Sequence, residues 1–221
     1  MLRRQELEKI KDMLIKMAAL VEKAIHDSVN SLVERDDELA KKVIEGDLTI
    51  NTYDVGIEED CIRALARTQP MAIDLRFITT AMKITTDLER IGDNAVNICE
   101  RALELNREPA LKPYIDIPRM KNIAGGMVRD AINAFVNQDR KLATDVIMRD
   151  DEVDDLNESV HKELTFIISQ DPSTASRAIK ITYISKYLER IADHATNIAE
   201  MVVYMVEGKV IRHIDPEALK D

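Results

Sequence analysis

Glu89, Asp93, Asn97 and Glu100 fall on one face of a helix at about 100° per residue, and the same four residue types return as Glu189, Asp193, Asn197 and Glu200. Glu89 and Asp93 are like charges at i,i+4. That spacing costs a helix roughly 0.2–0.5 kcal/mol unless a cation lies between them. A second stripe, Asp47, Asn51, Asp54 and Glu58, is answered by Asp150, Asp154, Asn157 and His161. If the helices carrying the two stripes run antiparallel, the stripes converge on one groove of carboxylate and carboxamide oxygens. Such a donor set suits iron, manganese, magnesium or calcium, and zinc less well because only one stripe offers a histidine. The competing reading is a solvated acidic face on which Arg90 and Asp93, and Arg190 and Asp193, form ordinary i,i+3 ion pairs. Spacing alone leaves both readings open.

Other chemistry is scarce. There is no Gly-rich phosphate loop, no Gly-x-Ser-x-Gly elbow and no cysteine with a histidine base, so no catalytic and no organic-cofactor residue is assigned. Glu158 to His161 reads Glu-x-x-His, but a di-iron bundle uses that motif on two helices and here it occurs once. A carboxylate-bridged helical metalloenzyme is therefore the alternative rather than the leading reading. His26 and His194 read as satisfied surface histidines, and Cys61 and Cys99, which form no Cys-x-x-Cys pair, as buried packing. Gly92 and Ala192, each between a Glu and an Asp, mark either a close approach of another group or a tight packing spot.

The elements that position these stripes must be helices. Six Gly, six Pro, no Trp and 4% aromatics, in a 221-residue chain that is 45% hydrophobic and 33% charged, favour an all-α fold with a real core. The net charge of -10 argues against nucleic acid and against unaided adsorption on anionic lipid. No apolar run approaches the roughly 20 residues of a spanning helix, and the N-terminus never reaches the apolar stretch of a secretory signal, so a cytoplasmic protein is expected.

Leu7, Ile10, Leu14, Met17, Val21, Ala24, Ser28 and Leu32 follow the three-four spacing of a helix over about 4–35. Asp36 or Asp37 caps a second helix that ends before Pro70, and in which Gly46 and Gly56 allow a bend. A third follows Pro70 and fades at Asn106 to Pro109. Prolines 109, 113 and 118 then mark a linker. Residues 134–150 match 31–47 at an offset of 103, and 188–200 match 88–100 at an offset of 100. The chain is a tandem duplication, with units 1–108 and 118–221 around a linker at 109–117.

The paired segments Leu88 to Asp93 and Leu188 to Asp193, the Ile-Glu-Gly-Asp of Ile44 to Asp47, the triplet Asp74, Leu75, Arg76 after Pro70, and Tyr204 to Gly208 together resemble the PhoU family of bacterial phosphate-transport regulators, over essentially the whole chain. The resemblance implies two tandem three-helix bundles, six long helices in all. It also implies multinuclear metal clusters, of iron, zinc, manganese or magnesium, on the motif carboxylates Glu89, Asp93, Glu189 and Asp193. Asp47, Asp54, Asp150 and Asp154 join that set from the stripes. It further implies a negative regulator of phosphate uptake and of the phosphate-starvation response. Such a regulator contacts the ATPase subunit of the phosphate ABC transporter and a sensor histidine kinase, forms a homodimer, and reaches the membrane only through those partners. Asn51 against Asp154 and Glu58 against His161 break the symmetry between the copies.

Overall fold

The computed structural model describes residues 2–211. Every regular element among them is helical: α1 Leu2–Val33, α2 Asp37–Thr68, α3 Ile73–Leu105, α4 Asp116–Asn137, α5 Arg140–Met148, α6 Asp150–Gln170 and α7 Ala175–Glu207, with one 3-10 turn at Pro172–Thr174. No helix among the described residues is long and apolar enough to cross a membrane.

The duplication is visible down to single turn residues. Helix α1 ends on Arg35 in the left-handed region, φ 57°, and α4 ends on its counterpart Gln138, φ 55°. The next residue in each copy caps the following helix: Asp36 accepts from the Leu39 amide at 2.9 Å, and Asp139 from the Leu142 amide at 3.0 Å. Each carboxylate satisfies a donor that the helix start leaves unpaired, so Asp36→Ala and Asp139→Ala should each cost about 1 kcal/mol. Thermal melts should show a drop of about 2–4 °C per substitution.

The fifth of the six expected helices is interrupted. Helix α2 runs unbroken through Gly46 and Gly56, whereas its copy splits into α5 and α6 at Arg149, the counterpart of Gly46. A Cβ on Gly46 would meet nothing within 4 Å, so packing does not require the glycine there. At the break, the Arg149 amide bonds back only three residues, to Val146 at 3.1 Å, and its guanidinium reaches across to Asp130 of α4 at 2.8 Å. Arg149 is anchored sideways where Gly46 has no side chain to anchor.

Ile10, Leu14, Met17, Val21 and Leu32 of α1 are buried, as their spacing requires, and so are Ile84, Leu88, Ile91 and Ile98 of α3 and Ile184, Leu188, Ile191 and Ile198 of α7. They belong to one apolar cluster that spans both copies. Helices α1, α3, α7 and α4 form its centre, α2 lies outside α1 and α3, and α5 and α6 lie outside α4 and α7. Phe77 of α3 stacks on Phe135 of α4 with centroids 5.0 Å apart, directly across the junction. Helices α3 and α7 pack antiparallel, which sets Arg76 against Met205, Asp87 against His194 and Glu104 against Lys180. The proline-rich connection is strapped down: Leu111 and Tyr114 pack on the core, and Arg177 donates to the Pro109 carbonyl at 3.0 Å.

Candidate functional site

Antiparallel packing inside each repeat brings the outer helix and the last helix together along their acidic faces. In the first repeat Asp47 and Asp54 of α2 face Glu89 and Asp93 of α3. Partial burial raises the Glu89 carboxyl above its ordinary range, and Asp93, Asp54 and Asp47 raise it further. Asp47 is raised by burial and by Asp93, against a 2.9 Å hydrogen bond donated by Asn51, and Asp54 is raised by burial and by Glu58. The Asp47 Oδ1 and Asn51 Oδ1 oxygens are buried without a hydrogen-bond partner. Gly92 explains how α2 comes so near: a Cβ there would lie 3.2 Å from Asp47 Oδ1 and 3.2 Å from Ile50 Cδ1. It is a packing glycine that fixes where a carboxylate stands.

In the second repeat Asp150 and Asp154 of α6 face Glu189 and Asp193 of α7. Burial raises Asp154 and Asp193, and Glu189 raises both further. Asp150 is pushed up to about 7 by burial, by the facing Asp193 carboxylate and by Asp154 one turn along its own helix. The unfolded chain returns that group to about 3.8, so the folded state binds the proton more tightly. Metal-free protein should therefore lose stability as pH rises from about 4 to about 7, and level off above, where Asp150 is ionised in the folded and the unfolded state alike. Melts in chelator across it test this, and Asp150→Asn should flatten the slope.

All eight carboxylates expected from the sequence thus lie in two facing groups of four. They are not drawn tight: among the described residues no three His, Cys, Asp or Glu side chains are close enough to hold one ion as placed. The oxygen-only donors and the orphaned buried oxygens of Asp47 and Asn51 nonetheless fit a hard cation in the first group. The second group contains a residue that the stripes did not reveal. Lys186 pairs with Glu189 and lowers the carboxyls of Asp154 and Asp193, where the first repeat has Thr86. Its i,i+3 spacing from Glu189 is the one sequence signal that could have found it.

The rest of the stripes goes elsewhere. Asn157 accepts a hydrogen bond from Ser185, and Asn197 and Glu200 border a groove between α3 and α7 with Lys83 and Arg90. Arg90 and Asp93 do not come within ion-pair distance, nor do Arg190 and Asp193, so the simple solvated-pair reading loses its pairs among the described residues. Glu158 of the lone Glu-x-x-His points to Lys162 at 2.6 Å, away from the carboxylates. His194 is not a plain surface histidine: its Nδ1 lies 2.8 Å from Asp87 Oδ1 at the junction of the repeats. Cys61 and Cys99 are fully buried, and burial pushes both thiols up to about 12. The two segments Asp74 to Arg76 and Tyr204 to Gly208 meet, with Arg76 Nε donating to the Met205 carbonyl at 2.9 Å beside Gly208, whose φ is +73°.

Comparison with known proteins places this arrangement. The PhoU domain model matches twice, over residues 14–102 and 117–202. The phosphate-specific transport system accessory protein PhoU homolog of Aquifex aeolicus is 46% identical over 209 residues, 95% of this chain and 95% of that one. The crystal structure of PhoU from Pseudomonas aeruginosa superposes with a TM-score of 0.90 at 40% identity, covering 93% of this chain and 99% of that chain. The phosphate transport system regulatory protein PhoU from Streptococcus pneumoniae gives 0.88 at 27% identity, covering 94% and 98%. Two matched repeats, each pairing an acidic outer helix with a Glu-x-x-x-Asp helix, make this chain a member of the PhoU family.

Proposed function

We propose that the protein is a negative regulator of phosphate uptake and of the phosphate-starvation response, acting through contacts rather than catalysis. The observation that carries this is the end-to-end match, in both repeats, to relatives whose names describe accessory or regulatory proteins of phosphate transport. Its partners are the ATPase subunit of the phosphate ABC transporter and the sensor histidine kinase of the phosphate two-component system. It works in the cytoplasm as a homodimer and is held at the membrane only by those partners, in keeping with a net charge of -10. The units that carry this role are residues 1–108 and 118–221, with 109–117 between them.

Regulation requires the protein to bind one state of a partner better than another. Glu89, Asp93, Asp47 and Asp54, and Glu189, Asp193, Asp150 and Asp154, hold iron, manganese, zinc or magnesium in this reading. A bound cation would neutralise like charges that otherwise repel across the helix pair. The chain's own part is to fix two carboxylate-bearing helices at a set separation, through Gly92 on one flank and Ala192 on the other. A pull-down from membranes of phosphate-replete cells, with metal analysis of the same sample, tests both halves. Co-purification of transporter and kinase with a metal-loaded protein is the expected result. Redox turnover by a purified metal-loaded sample, with no partner retained, would instead favour the metalloenzyme.

A further inference from the structure

Helix α2 touches only α1 and α3, so its far side faces outward. On that side stand Leu48, Val55 and Ile62, which are 74%, 56% and 53% exposed. They are spaced by seven residues, one apolar side chain every second turn on one line of the helix. A lone exposed apolar residue means little, but three in register make a seam.

The duplication provides an internal control. The buried residues Ile50, Ile57 and Cys61 of α2 correspond at the offset of 103 to Val153, Val160 and Leu164 of α6, all buried, so the two helices align without a shift. At that same offset Leu48, Val55 and Ile62 become Asp151, Glu158 and Thr165. The outward face is apolar in one copy and polar in the other, although both have the same place in the fold. Packing within the chain therefore does not account for the seam.

We propose that this seam is where a second copy of the chain docks, α2 lying antiparallel against α2 with the two-fold axis at Val55. Charge decides the direction. In the antiparallel arrangement Leu48 meets the partner's Ile62, Val55 meets its own copy, and Glu45 falls beside the partner's Arg63 and Arg67. A parallel arrangement sets Glu45 against Glu45 and Glu59 against Glu59, two like-charge pairs beside the seam. Because only the first repeat carries the seam, each chain has one such face, and an isologous contact through it closes at two copies instead of growing into a chain. The proposal gives a surface to the homodimer and stands on α2 itself, so it holds or fails apart from the regulatory reading.

Sedimentation equilibrium of the full chain over roughly 1–100 µM tests it, since a seam of this size belongs to the modest end of specific interfaces. The parent should reach a dimer in that range, and Val55→Asp, which puts two carboxylates face to face on the axis, should weaken association by at least about a hundredfold. Val55 is exposed in the single chain, so the variant should melt with the parent at concentrations too low for the parent to dimerise; Val55→Thr, uncharged, serves as the milder second variant. Direction is read from cysteine pairs. Val55→Cys should form a self-disulfide, and a mixture of Leu48→Cys with Ile62→Cys should cross-link to each other but not to themselves. The buried Cys61 and Cys99 stay silent in this assay. A parent that is monomeric throughout, an undiminished dimer in Val55→Asp, or self-linking of Leu48→Cys would each overturn the proposal. Loss of transporter binding in Val55→Asp with a monomeric parent would assign the seam to another protein, and equally overturn it.

Discussion

Chelator is expected to lower the melting temperature by about 5–10 °C relative to protein held at a hundredfold excess of metal over Kd. A ligand that binds only the folded state stabilises it by RT ln(1 + [L]/Kd), about 2.7 kcal/mol at that excess. For a chain of this size each kcal/mol is worth about 2–4 °C. Asp93→Asn with Asp193→Asn should remove most of the bound metal and most of the shift. In chelator the double variant should melt at or slightly above the parent, because a repelling charge has gone from each cluster. The two clusters should not contribute equally. Lys186 already supplies a cation beside Glu189, and Thr86 supplies none in the first repeat. Asp93→Asn should therefore lose more metal than Asp193→Asn, and Lys186→Thr should raise uptake in the second cluster. Elemental analysis per mole of protein measures both. A parent with no metal-dependent shift, and no metal after purification without chelator, would leave both acidic faces merely solvated.

Phe135→Ala should be the most damaging single substitution of an ordinary core residue. The ring is fully buried, and it stacks on Phe77 of the other repeat. Truncating a buried phenylalanine costs about 3–5 kcal/mol from lost burial and the cavity left behind. A fall of about 10 °C in the midpoint follows. Since the two repeats share one apolar cluster, calorimetry should show both melting in a single transition, in the parent and in the variant alike. Two separable transitions would mean that the repeats are independent bundles. Phe166→Ala is the control: that side chain is 64% exposed, and the change should stay within about 0.5 kcal/mol.

Most of the helices could be read from the chain because independent signals agree. In α1 the apolar spacing, the Asp36 cap and the matching segment around Asp139 all name the same boundary. The facing carboxylates were legible for a similar reason, since a stripe retained in both copies points at whatever the stripes share. Arg149 was not legible. At the break it bonds Asp130 of α4, and no local pattern in residues 140–160 encodes that partner. Lys186 was hidden differently: an i,i+3 neighbour of Glu189 looks like any exposed lysine until the opposite helix brings Asp154 to it. Helix periodicity shows which way a side chain faces, but not what another helix sets in front of it. The same limit held for His194, whose partner Asp87 lies 107 positions away.

The antiparallel contact of α3 with α7 has a consequence for how the copies were free to diverge. Equivalent helices packed antiparallel against each other form the arrangement that two separate, identical three-helix chains would make in a symmetric pair. Had they stayed separate, symmetry would force every change onto both faces at once. A lysine in one acidic cluster would be a lysine in both, and an apolar seam on one outer helix would be repeated on the other, leaving sticky surfaces on two flanks. Joined through residues 109–117, the halves keep the shared core that holds them face to face while each flank accumulates its own chemistry. Covalent fusion here acts as symmetry breaking, leaving one molecule with two unlike sides.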